Sequence, residues 1–137
     1  PIDRLPKPPR RRRRHDRGYC FVVNLDPAHL PGSHWIAVYI DANQRKPAEV
    51  FDSYGRPPPL RLQHWLNKHS RCWHFNKRFI QGPLSQLCGI YCIFVLDIKC
   101  SLGMSFRDIV EFYFTPIASE NDARMWEYFQ TIRTALL

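Results

Sequence analysis

The spacing of hydrophobic and polar positions changes several times along the chain. "YCFVVNLDP", from Tyr19, alternates loosely and is rich in Val and aromatic residues, which predicts a strand. "PAHLPGS" follows as a turn, and "HWIAVYIDA", from His34, predicts a second strand that ends at Asp41-Ala42-Asn43. "AEVFDSYG" predicts a short third strand stopped by Gly55, and the polar loop before it predicts an antiparallel hairpin. "RPPP" then introduces "LRLQHWLNKHS", where Leu60, Leu62, Trp65 and Leu66 fit a short amphipathic helix. "CWHFNKRFIQ" reads as a fourth strand, broken by Gly82-Pro83.

Beyond that break the pattern becomes helical. Ser85 is the expected N-cap of a helix from Gln86 to Lys99, apolar nearly all round and so expected to be central and buried. "SLGMS" ends it. "FRDIVEFYF", after the N-cap candidate Ser105, predicts a second helix, and "SENDARMWEYFQTIRTALL" a third, capped by Ser119 or Asn121. The order predicts an α+β fold: a mostly antiparallel sheet packed against a central buried helix, with helices at the C-terminal end.

Composition divides this picture in two. The chain has 137 residues and a net charge of +8, but residues 1–17 hold eight Lys/Arg against two Asp, leaving the rest only mildly basic. Residues 1–18 therefore read as a disordered basic arm, and residues 19–137 as one domain. The arm suits a solvated tail or a linker; its five consecutive arginines equally suit a DNA contact or a nuclear-import signal. No apolar run is long enough to span a bilayer, and the basic, Pro-rich start lacks the apolar stretch of a secretory signal. The five cysteines are odd in number and irregular in spacing, which points to a reduced, intracellular protein. A monomer with no membrane partner is expected.

Cys88 is the first candidate for chemistry. A thiol at the start of a helix meets the positive end of the macrodipole and free backbone N–H groups, and both favour thiolate. Cys92 and Cys100, further along the same helix, read as core residues. A nucleophile needs a base, and His34, opening a strand after "PGS", is positioned to project into a cleft. Asp52, near the end of the strand expected to pair with it, is the candidate to orient that imidazole; Asp41 reads as a strand-ending turn residue. The Cys88 backbone N–H and the Gln81 side-chain amide are candidate donors to an oxyanion. His64, His69, Cys72 and His74 cluster in sequence but lack metal-ligand spacing, so no metal site is assigned.

"GSHW" with its apolar strand, "VFDSYG" and "QGPLSQLCGIYC" together resemble the adenovirus-type cysteine endopeptidases (adenain), also found in Maverick/Polinton DNA transposons. The deSUMOylating, ubiquitin-like-protein-specific proteases are more distant relatives of the same order His, acid, Gln, Cys. The resemblance covers about residues 20–133. It implies that His34 is the base, Asp52 its orienter, Cys88 the nucleophile and Gln81 part of the oxyanion hole, with Trp35 packed beneath the site. It implies an endopeptidase that cleaves viral or transposon-encoded precursor proteins after small residues such as Gly, in the nucleus or virion. No cofactor is required by the sequence, though the family is stimulated by DNA and by a basic peptide bonded through a cysteine. Cys72 falls near that cysteine's place, which raises a pairing of Cys72 with Cys20, the arm acting as the peptide in cis. Alternative readings are a deSUMOylase-like isopeptidase and a non-catalytic DNA-binding relative. One departure stands out: the helical segment that precedes the His strand in adenain is replaced here by the basic arm.

Overall fold

The computed structural model describes residues 1–8, 18–42 and 45–135. The sheet has four strands in chain order: β1 (Gly18–Asn24), β2 (Trp35–Asp41), β3 (Ala48–Phe51) and β4 (Trp73–Phe75). β1–β2 and β2–β3 are antiparallel, as the hairpin pattern predicts; β3–β4 is parallel, because α1 (Leu60–His69) carries the chain back across the sheet. Three helices follow: α2 (Cys88–Leu102), α3 (Phe106–Tyr113) and α4 (Ala118–Ala135).

β2 is apolar at nearly every position because both of its faces are covered. Ala37 joins Phe51, Tyr91, Cys92, Val95, Phe106, Ile109 and Met125 in a core between the sheet and the three C-terminal helices. Ile36, Val38 and Ile40 pack on the other face with Val50, Leu62 and Leu66. The molecule is thus helix–sheet–helix in section, where the sequence pattern predicted only one central helix against a sheet.

Several boundaries differ from the sequence reading, each for a local reason. α2 begins at Cys88 rather than Gln86: Leu87 takes the N-cap position, and Ser85 does not cap the helix. The Ser85 hydroxyl instead accepts the Leu87 N–H at 3.4 Å, which holds the preceding turn. Only one stripe of α2 is fully buried (Cys88, Tyr91, Cys92, Val95 and Lys99), while Ile93 is 44% exposed. Gly103, with φ 72°, closes α2 in the left-handed conformation, its N–H donating to Lys99 C=O. Ser105 caps α3 as expected, accepting the Asp108 N–H. α4 starts before both cap candidates, at Ala118, because the Asn121 side chain is used elsewhere. The fourth strand shrinks to three residues, since beside β3 the Asn76 side chain takes up the Asp52 backbone groups and the next main-chain bonds reach only the Ser53 carbonyl, from Ile80 and Gln81.

The arm also departs from expectation over its first part. Ile2 is buried and Leu5 packs beside it on the α1 face. The Ala28 N–H donates to Asp3 Oδ1 at 2.9 Å, and Trp65 Nε1 donates to Pro6 C=O at 3.0 Å. Two apolar side chains and these bonds are enough to lay residues 1–8 against the body. The five arginines, Arg10 to Arg14, lie outside the described residues. Among the described residues no single helix is long and apolar enough to cross a membrane.

One buried ion pair locks α2 to the sheet. Lys99 Nζ, near the end of α2, bonds Glu49 on β3, and Glu49 also accepts the Phe106 N–H at the start of α3. The Lys99 ammonium further lies 4.5 Å from the centre of the Tyr39 ring. Lys99→Met would leave Glu49 charged and half-satisfied in the core, so it should cost about 3 kcal/mol in a urea titration. The double change Glu49→Gln/Lys99→Met should recover part of that loss. Equal midpoints for Lys99→Met and wild type would contradict the role of the pair.

Candidate active site

The site forms where the start of β2 meets the end of β3. The pairing of Ala37 with Phe51 and Val38 with Val50, continued past the ladder, sets His34 opposite Tyr54 and diagonal to Asp52. The sequence Asp52-Ser53-Tyr54-Gly55 then makes a tight turn. The Gly55 N–H donates to Asp52 C=O at 2.8 Å and the Tyr54 N–H to Asp52 Oδ1 at 2.7 Å. Gly55 has φ 64°, and a Cβ there would sit 2.8 Å from the Lys77 backbone, so the position requires glycine. The turn aims the carboxylate back at β2, and Oδ1 meets His34 Nε2 at 2.8 Å. Both residues are buried.

Cys88 arrives from the other side of the sheet end. One turn into α2 the Cys92 thiol donates to Trp35 C=O at 3.4 Å, which sets the start of the helix beside the start of β2. The ring nitrogen left by Asp52, His34 Nδ1, is buried without a hydrogen bond of full geometry. The Cys88 thiol is the other polar side chain acting on that ring. No hydrogen bond joins the two here, and such bonds commonly form only when a substrate tightens a site.

The electrostatics follow from this packing. Burial pushes the Cys88 thiol up, but His34 and the backbone N–H groups of Trp35 and Gly89 outweigh it, and the net shift is downward. Burial pushes His34 down, yet Asp52 and Cys88 outweigh it, and its pKa rises to about 9. Both shifts favour thiolate beside imidazolium. Cys92, fully buried, is pushed well above the ordinary thiol range, chiefly by burial with the Cys88 charge adding to it. Two cysteines one turn apart thus differ sharply in character.

Gln81 is fully buried four residues before that turn into α2 ends at Ser85. Its Nε2 donates to Ser85 C=O at 2.8 Å and its Oε1 accepts from the Ser53 hydroxyl at 2.6 Å. The structure therefore gathers His34, Asp52, Cys88 and Gln81 around one end of the sheet. Trp35 is 39% exposed, and its backbone carbonyl accepts from the Cys92 thiol. Asp41 acts as the turn residue expected of it, accepting the Arg45 N–H.

Cys72 is placed elsewhere. It is exposed and precedes β4, whereas Cys20 lies on β1 at the opposite edge of the sheet. Three strand spacings, roughly 14 Å, separate those edges, far beyond disulfide reach. The arm-in-cis pairing of Cys20 with Cys72 is therefore corrected; the thiol beside Cys20 is Cys100, whose proximity together with burial raises the Cys20 pKa. Among the described residues no group of three His, Cys, Asp or Glu side chains could hold a metal ion.

Residues that pattern and spacing did not assign to the site support it. Asn76 clamps the Asp52 backbone, its Oδ1 accepting the Asp52 N–H at 2.8 Å and its Nδ2 donating to Asp52 C=O at 2.7 Å. Asp122, at the start of α4, accepts the Gly82 N–H at 3.1 Å and the Tyr91 hydroxyl at 2.8 Å. Asn121 donates to Ile80 C=O and accepts the Thr115 N–H. The Tyr54 ring lies 4.8 Å from the His34 ring and stacks on Phe79. Nothing in the local sequence marks Asn76 or Asp122, since their partners are 24 and 40 residues away.

Comparison with known proteins fits this architecture. No protein-family model matches the chain. A protein of Acanthamoeba polyphaga mimivirus described as a thiol protease is 29% identical over 109 residues, 69% of this chain and 35% of that protein. The crystal structure of the ASFV pS273R protease superposes with a TM-score of 0.55 at 23% identity, over 77% of this chain and 41% of that one. The likeness shows a shared α+β fold; the chain spans well under half the length of either relative.

Asn76→Ala should cost about 2 kcal/mol of stability, because the buried Asp52 N–H loses its partner and the Asp52 carbonyl keeps only the Gly55 N–H. It should also lower the His34 pKa from about 9, read by NMR titration of labelled histidine, as Asp52 drifts from Nε2. A folded Asn76→Ala protein with the His34 titration unchanged would show that the clamp does not position the acid.

Proposed function

We propose that the chain is a cysteine protease of the ubiquitin-like-protein-protease type, with Cys88 as nucleophile, His34 as base and acid, and Asp52 as the group that orients the imidazole. The observation that carries this reading is the buried His34 Nε2–Asp52 Oδ1 bond, 2.8 Å long, beside a helix-start cysteine whose pKa is lowered. A structural cysteine needs neither a base nor a lowered pKa. The thiol-protease relative and the fold of the ASFV enzyme point the same way.

The reaction runs on these residues alone. The Cys88 thiolate attacks the scissile carbonyl carbon, forming an S–C bond as the carbonyl electrons move to oxygen. The Cys88 backbone N–H, free at the first position of α2, and Gln81 Nε2 donate to that oxyanion. As the tetrahedral centre collapses, the C–N bond breaks and His34 delivers its Nδ1 proton to the departing amine. Water then attacks the thioester, giving its proton to Nδ1, and the carboxylate product leaves as Cys88 is regenerated. Asp52 stays ionised, fixing the ring and its charge.

The finer reading is adenain-like: cleavage of precursor proteins after small residues such as Gly, with DNA or a basic peptide as stimulants. Its support is the motif set "GSHW", "VFDSYG" and "QGPLSQLCG".

A thiol-directed ubiquitin-like or Gly-Gly peptide probe should label the wild type and leave Cys88→Ala unlabelled. Labelling of both, or of neither, would remove Cys88 as the nucleophile. The acid limb of Cys88 alkylation by iodoacetamide should lie below the free-thiol value of about 8.5, because the thiolate persists as pH falls. Peptide hydrolysis should in addition decline as pH rises through about 9, where His34 loses the proton it must give to the amine. An alkylation midpoint near that of a free thiol would contradict the ion pair.

A further inference from the structure

Ser53 and Gln81 are both wholly shielded from solvent, a costly place for two uncharged polar side chains unless they are hydrogen-bonded. Their hydrogen bonds leave Gln81 a single orientation. The Ser85 carbonyl can only accept, so the amide group 2.8 Å from it is the NH₂ end. The Gln81 oxygen therefore faces Ser53, whose hydroxyl must be the donor at 2.6 Å. The Ser53 carbonyl also takes the N–H groups of Ile80 at 2.9 Å and Gln81 at 3.3 Å. Ser53 thus grips Gln81 by main chain and side chain at once, from 28 residues away.

One hydrogen of the Gln81 NH₂ is used by Ser85; the second is the one an oxyanion would take. Rotation of the amide by half a turn would present an oxygen there instead, and an oxygen repels an oxyanion. We propose that Ser53 is a positioning residue that holds the Gln81 amide with its N–H toward the carbonyl oxygen of the bond being cleaved. Asp52 and Ser53 then divide the work of one turn: the first holds the base, the second holds the oxyanion donor. This rests on the protease reading above.

Two thiol reagents separate the roles. A peptide aldehyde ending in Gly-glycinal adds the Cys88 sulfur to its carbonyl carbon, and the aldehyde oxygen, taking up the proton or remaining an anion, occupies the oxyanion position. Iodoacetamide loses iodide to the same sulfur and builds no oxyanion. Ser53→Ala should weaken hemithioacetal formation about tenfold or more, below the loss on deleting a whole oxyanion donor, while alkylation stays close to the wild-type rate. In a Gln81→Ala background the same change should weaken the aldehyde no further. Ser53→Cys, with a weaker donor in the same volume, should fall between and keeps the test open if the alanine variant does not fold. Wild-type aldehyde affinity in the Ser53 variants, or an equal loss with and without Gln81, would overturn the inference. A wild-type protein that forms no aldehyde adduct and alkylates slowly would instead bring down the protease reading, and this role with it.

Discussion

The site depends on the antiparallel register between β2 and β3. That register brings the residue before one strand diagonal to the residue after the other, so His34 and Asp52 meet with no long side chain and no loop rearrangement. The turn Asp52–Gly55 makes the meeting specific. A single carboxylate oxygen accepts both the Tyr54 N–H and His34 Nε2, so the acid is fixed by its own turn before it touches the base. Gly55 is what allows the turn to close against the Lys77 backbone. A one-residue slip would turn His34 to the other face of the sheet and dissolve the pair.

The same sheet end receives α2, and three separate ties govern where that helix starts. Lys99 and Glu49 fix its far end to β3. Cys92 ties its second turn to the Trp35 backbone, and Tyr91 ties it through Asp122 to Gly82, the residue after Gln81. The apolar stripe of α2 supplies the adhesion, as dispersion and hydrophobic burial are indifferent to small rotations. The polar ties remove that freedom, which matters because a helix rotated by a few tens of degrees would swing Cys88 away from His34. Buried polar groups here act mainly as register marks.

A chain of hydrogen bonds links the two halves. Asn76 holds the backbone of Asp52, Asp52 holds His34, Ser53 holds Gln81, and α4 holds Ile80 and Gly82 through Asn121 and Asp122. The segment from Gln81 to Leu87 lacks regular structure, yet its start is restrained by the distant Ser53 and Asp122 and its end by the nearby Ser85 hydroxyl. That explains why the sequence reading extended the fourth strand and began α2 two residues early. Local periodicity carries no trace of a partner 40 residues away.

The sequence alone determined the elements that local physics controls. The alternating apolar runs marked the strands, Gly103 and Ser105 marked the break between α2 and α3, and Cys88 stood out as a thiol at a helix start. The order His34, Asp52, Gln81, Cys88 was legible because each residue type has a distinct chemistry and sits at an element boundary. Tertiary structure alone decided the remainder. It made β4 parallel, covered the second face of the sheet with α1 and residues 1–8, and placed Cys20 beside Cys100 rather than Cys72. It also supplied the physical cause of the difference between Cys88 and Cys92 that helix position had suggested. Both are small thiols on one helix, but a neighbouring imidazole and backbone N–H groups lower the first while full burial raises the second. Position along the helix pointed to Cys88, but the imidazole and the depth of burial that set the two sulfurs apart are properties of the surroundings in space.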